Sequence, residues 1–164
     1  MVLFPESQLP AQEELDRVLG KARLPSIEDR DALPQITALL YELLRWYPAV
    51  PLGVPHRATA NIEWDGYRIP SGSTIMANAW AILHDDSIYM DPNKFKPGRY
   101  LNADGSLNES VPYPMEAFGY GRRICAGRHF AHDLLWLAIA QLLTIFKIER
   151  PIEDTVTAKS VAHD

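Results

Sequence analysis

One cysteine, Cys125, stands in a chain of 164 residues. A single thiol can form no internal disulfide, which excludes a stapled secreted scaffold and leaves the sulfur free for other chemistry. An excess of positive charge is also missing. The formal net charge is −5, so no global basic field for nucleic acid exists. Long apolar runs are lacking too. The longest, "LLWLAIAQLLTIF" at 134 to 146, falls short of the roughly 20 residues a bilayer needs, and Gln141 and Thr144 interrupt it. "MVLFPESQLP" has no basic head before its short apolar run, so no signal peptide or membrane anchor is expected. Repeats and low-complexity tracts are absent.

Proline is plentiful. Thirteen of them, spread from end to end, argue against a simple helix bundle and for short elements joined by fixed turns. With 47% hydrophobic and 23% charged residues, the composition is that of one soluble globular domain large enough to bury its own core.

Local patterns give the elements. Residues 5 to 19 read as a helix stopped by Gly20, with Pro10 kinking or removing its first turns. Asp31 is the expected N-cap of a helix running to Trp46, whose apolar stripe is Ile36, Leu39, Leu40 and Leu43. "IEWDGYRI" is a strand, an Asp-Gly turn and a second strand, and "STIMANAW" is a third strand. Residues 85 to 114 form an ordered meander, because Tyr89, Phe95, Tyr100 and Tyr113 need burial. A helix from Arg128 to Phe146 is apolar nearly all round and is expected to be central and buried. Residues 147 to 164 read as a loose polar tail. The fold class is mainly α with a small antiparallel β-sheet, an α+β arrangement.

Cys125 sits in "AFGYGRRICAG", residues 117 to 127, just before that last helix. Unpaired N–H groups and the positive end of the helix dipole meet there and favour thiolate over thiol. Arg122, Arg123 and Arg128 act the same way. Several thiolate classes are excluded by spacing. A phosphatase loop needs arginine where Ala131 stands, the papain-type signature is absent, and Cys125 with His129 and His132 matches no structural zinc pattern. "GYGRRI" lacks the third glycine of a dinucleotide loop. A buried structural cysteine stays open as the bland alternative.

The pattern Phe118-Gly119-x-Gly121-x-Arg123-x-Cys125-x-Gly127 resembles the haem-binding loop of the cytochrome P-450 family, the haem-thiolate monooxygenases, in a eukaryotic, fungal-like form. The resemblance implies haem b as cofactor, with Cys125 as the axial thiolate ligand of the iron. It implies further haem contacts from Phe118, Gly119, Ile124 and Ala126, and propionate contacts from Arg123 and His56. "ELLR" at 42 to 45 and "FKPGRY" at 95 to 100 resemble the family's Glu-x-x-Arg and Pro-x-Arg-Phe motifs. They imply a structural triad of Glu42, Arg45 and Arg99, although a helical wheel puts Glu42 and Arg45 opposite the apolar stripe. Val50 to Val54 would edge a substrate pocket.

By resemblance, the activity is that of an oxidoreductase. One oxygen atom from O2 enters a small lipophilic substrate, with electrons from NADPH through a reductase partner, at the endoplasmic reticulum membrane. The resemblance covers residues 1 to 150, as the carboxy-terminal, haem-binding portion of the family fold, with 151 to 164 as tail. The family's Ala-Gly-x-Asp/Glu-Thr distal motif is not in the chain. A truncated copy is therefore expected, cytosolic or unstable without its anchor. The alternative is a non-catalytic remnant or interaction module.

Overall fold

The computed structural model describes residues 1–150. Three helices build the main core: α1 (Gln8–Leu19), α2 (Pro34–Trp46) and α4 (Arg128–Ile145), with a short α3 (Ala79–Leu83) between them. Ala11 and Leu15 of α1, Ile36, Leu39 and Leu40 of α2, and Trp136, Ala140 and Leu143 of α4 close around Leu33. The indole N–H of Trp136 donates to Thr37 Oγ1 at 3.0 Å, so the one polar atom of the largest core side chain is satisfied.

Helix starts differ from the sequence expectation. A 3₁₀ turn, Pro5–Ser7, leads into α1, so Pro10 falls in the first turn, where a missing N–H costs nothing, and it breaks no helix. Asp31 is not the N-cap of α2. A separate 3₁₀ helix, Ile27–Ala32, is closed by a Ser26–Asp29 capping box, and α2 starts at Pro34 after Leu33. Its Gln35 N–H is taken at 2.9 Å by Glu14 of α1, a cap supplied across the helix pair rather than along the chain.

Among the described residues the strands form two separate antiparallel pairs. β2 (Ile62–Trp64) and β3 (Tyr67–Ile69) form the expected hairpin. Its turn residues Asp65 and Gly66 have φ of 48° and 78°, the left-handed pair that a two-residue turn of this type needs. The third strand is shorter than "STIMANAW" suggested. β4 is only Thr74–Ile75, and it pairs with β1 (His56–Arg57) instead of extending the hairpin. Ala79 and Trp80 belong to α3, which Asn78 caps through the Ala81 N–H. The meander is ordered, held by a 3₁₀ turn at Pro97–Tyr100 and a Leu101–Leu107 bridge. Residue 148 is no loose tail: Gln8 both donates to the Ile148 carbonyl and accepts from its N–H. The expected tail over 151 to 164 lies outside the described residues.

α4 is not buried all round. Trp136, Ala140 and Leu143 face the core, while Phe130, Leu134, Leu142 and Ile145 are exposed. An apolar helix face open to water promotes association. Leu134→Glu with Leu142→Lys should leave unfolding free energy within about 1 kcal/mol of the parent, because about half of each side chain already lies open to water. The same variant should sediment as monomer at concentrations where the parent self-associates. Equal self-association of the two would show that this face is not the adhesive one.

Candidate functional site

Two 3₁₀ turns, Met115–Phe118 and Gly121–Arg123, carry the chain into α4. Gly119 and Gly121, between and within them, have φ of 87° and 55°. Side chains are disfavoured there, which accounts for both glycines by backbone geometry alone. The loop is closed by the Cys125 N–H, which donates to the Phe118 carbonyl at 2.8 Å, and the Arg128 N–H donates to the Cys125 carbonyl at 3.3 Å. Residues 118 and 125 are thereby fixed to each other.

Cys125 is exposed, which removes the reading of a buried structural cysteine. A Cβ placed on Gly127, the residue that caps α4, would sit 3.9 Å from Cys125 Sγ, so the sulfur lies at the helix start. No side chain among the described residues caps that helix end, and after the Arg128 N–H the first-turn N–H groups of His129 and Phe130 have no backbone partner there. Phe118, Gly119 and Ile124 are half-buried, and Arg123 and Ala126 are exposed. Among the described residues no carboxylate pairs with Arg122, Arg123 or Arg128, whereas Arg30 and Arg23 both have acidic partners.

His56 begins β1 and is exposed. No hydrogen bond or ion pair joins it to the Cys125 loop among the described residues. The connection is through α3, which follows β4 directly and packs on the Met115–Phe118 turn. The Val50 to Val54 segment is pinned to the same place: the Trp80 N–H donates to the Pro51 carbonyl at 2.8 Å. Gly53 comes so close that a Cβ would stand 2.9 Å from the Ala77 carbonyl oxygen. Val50, Leu52 and Val54 are all exposed.

Glu42 and Arg45 are fully buried, at 0% exposure, and the Arg99 side chain is 6% exposed. Both Glu42 oxygens are used. Arg45 Nε and Nη2 donate to them at 2.7 and 2.8 Å, Arg99 Nε at 3.0 Å, and the Lys96 N–H at 2.7 Å. Arg45 also donates to the carbonyls of Leu83, Pro92 and Lys94, and Arg99 to those of Met90, Asp91 and Lys94. One carboxylate and two guanidiniums thus hold the meander against α2 and α3. The wheel misplaced this face because α2 has two buried sides. Its other flank meets a second apolar cluster, Ala38, Leu83, Tyr89 and Tyr100, and Leu43, a member of the expected stripe, is left exposed.

Sequence reasoning missed the backbone partners of that network, since carbonyls carry no sequence signal. It also missed an aromatic group at the start of α4, where Tyr41, Tyr113 and His132 approach with ring centroids 4.9 to 6.0 Å apart. Burial pushes the Tyr113 hydroxyl up to about 12. Burial, then the Arg30 charge, lowers His132 below the usual histidine range. Among the described residues no group of three or more His, Cys, Asp or Glu side chains is placed to hold a metal ion, and no helix is long and apolar enough to cross a membrane.

The cytochrome P450 family model matches residues 1–160. Cytochrome P450 monooxygenase 98 of Postia placenta is 49% identical over 150 residues, which is 91% of this chain and 29% of that protein. Cytochrome P450 monooxygenase claR of Ampulloclitocybe clavipes is 45% identical over 94% of this chain and 28% of its own length. Tryptamine 4-monooxygenase of Psilocybe cyanescens is 43% identical over 93% and 31%. The chain therefore spans under a third of the length of the curated relatives it matches.

Proposed function

Since the chain belongs to the cytochrome P450 family, we propose that residues 1 to 150 are the haem-holding portion of a haem-thiolate monooxygenase. The reaction is insertion of one oxygen atom from O2 into a small lipophilic substrate, with electrons from NADPH delivered by a reductase at the endoplasmic reticulum membrane. Haem, when bound, supplies the iron at which O2 is activated. The rest of the chemistry belongs to the chain's own groups.

The residues fit that cofactor. One observation carries the reading: the only thiol of the chain is exposed, at an uncapped helix start, on a loop whose backbone is already closed by the Phe118–Cys125 hydrogen bond. Cys125 Sγ would ligate the iron, and fixing of the loop before ligation lowers the ordering cost. Open N–H groups near the sulfur stabilise its negative charge. Phe118, Gly119, Ile124 and Ala126 would supply the contact surface of the loop. Arg123, free of any acidic partner among the described residues, and His56 would hold the two propionates. Val50 to Val54 would edge the substrate space, and Glu42, Arg45 and Arg99 hold the meander in place.

A second reading is a haem-contacting module that does not turn over. Titration with ferric haem tests what both readings share: saturation is expected at one haem per chain. Arg123→Glu should weaken binding by about tenfold or more, because a charge-assisted hydrogen bond contributes about 1.5–3 kcal/mol. Unsaturable binding, or no effect of Arg123→Glu, would reject the site. Adding a reductase and NADPH then separates the two, since only the first reading gives product.

A further inference from the structure

The cleft between α1 and α2 carries negative charge that nothing in it balances. It measures about 840 Å³, within the size range of small-ligand sites. Four carboxylates, Glu13, Glu14, Asp31 and Asp104, line it against two guanidiniums, Arg17 and Arg30. Arg30 is committed elsewhere. Its Nη2 donates to Asp133 Oδ1 at 2.7 Å, and its guanidinium carbon lies 5.3 Å over the Trp136 ring. Among the described residues no lysine or arginine pairs with Glu13, Asp31 or Asp104.

Glu14 adds an observation of a different kind. Its side chain is 5% exposed, so it is a buried carboxyl in the cleft wall. Oε2 accepts the Gln35 N–H at 2.9 Å. Oε1 accepts no hydrogen bond among the described residues. Its cation, Arg17 Nη2, stands 3.9 Å away on a side chain 72% exposed, beyond hydrogen-bond reach. Burial outweighs the Gln35 and Ile36 N–H groups and the Arg17 charge, and holds the carboxyl above the usual carboxylate range. A buried carboxylate without full compensation is costly. An ammonium donor on Oε1 would remove that cost.

We infer that this cleft binds a small aliphatic polyamine. One ammonium sits on Glu14 Oε1 and displaces the Arg17 side chain, whose exposed pairing is weak. A second ammonium reaches the exposed carboxylates of Asp31 and Asp104. The methylenes between them lie along Pro10, Pro34 and Leu107, which also line the cleft, as charged-ended aliphatic chains do on apolar surface. The excess of carboxylates argues against an anion. A bare metal ion fits poorly, because no group of three or more His, Cys, Asp or Glu side chains among the described residues is placed to hold one. A polyamine spreads its donors along a chain and needs no such convergent set.

The test is calorimetric titration of the 164-residue chain with putrescine, a four-carbon diamine, at low salt and neutral pH. One site per chain is expected, half-saturated below about 1 mM. Butylamine, with the same carbon chain and one ammonium, should bind at least about fivefold more weakly. Magnesium chloride at equal ionic strength should give no saturable heat. Glu14→Gln keeps an oxygen for the Gln35 N–H and removes the charge, and it should weaken putrescine binding about tenfold or more. Asp31→Asn, at an exposed position, should weaken it about threefold. Glu109→Gln, exposed and outside the cleft, should leave it unchanged. Parent-like binding by Glu14→Gln would overturn the inference, as would saturable binding of magnesium, equal weakening by Glu109→Gln, or no saturation by putrescine up to about 10 mM. If Glu14→Gln does not fold, Asp31→Asn decides, and unchanged binding there overturns the inference as well.

Discussion

Glu42→Ala is expected to cost the fold about 3–5 kcal/mol, because it strands two guanidiniums in a site they cannot leave. Glu42 and Arg45 are fully buried, and the carboxylate accepts four hydrogen bonds from Arg45, Arg99 and the Lys96 backbone. Removing it leaves Arg45 between the carbonyls of Leu83, Pro92 and Lys94 with no counter-charge. Domains are stable by about 5–15 kcal/mol, so a loss of this size approaches unfolding. In urea the midpoint should fall by roughly 1–5 M, given a slope of about 1–3 kcal/mol per M. Arg17→Ala is the internal control. Its partner Glu14 is 3.9 Å away and the Arg17 side chain is 72% exposed, so the loss should stay under about 1 kcal/mol. If Glu42→Ala stays within about 0.5 kcal/mol of the parent, the network holds nothing together.

Cys125→Ser should remove thiolate ligation altogether. No other cysteine exists to take its place, and a hydroxyl at the same position is neither ionised at neutral pH nor a comparable electron donor. The substitution adds no bulk and the side chain is exposed. Unfolding free energy should therefore stay within about 0.5 kcal/mol of the parent. The loop should hold its shape, because it is closed by backbone groups of 118 and 125 rather than by the sulfur. Loss of the red-shifted band of the reduced carbonyl complex, with stability unchanged, is the expected pair of results. A retained band would mean that another group ligates the iron.

Legibility in the sequence followed the range of the forces involved. The hairpin was readable because Asp65–Gly66 carries its own turn chemistry. The loop was readable because Gly119 and Gly121 occupy positions that backbone conformation restricts. The burial of Glu42 was not readable from periodicity, since a wheel assumes one buried side and α2 has two. Asp31 failed as a cap because Glu14, distant in sequence, takes the Gln35 N–H. α4 misled in the other direction: its composition is that of a buried helix, but Trp136, Ala140 and Leu143 are the residues the described core covers.

The measurement closest to the central claim is resonance Raman spectroscopy of haem-loaded chain grown on ³⁴S-labelled cysteine. With one cysteine in the chain, every cysteine-derived isotope effect reports Cys125. An iron–sulfur stretching band that moves to lower frequency with the heavier isotope is the result this account predicts. A haem-loaded chain with no isotope-sensitive band would contradict it, because the iron would then be held by something other than the Cys125 sulfur.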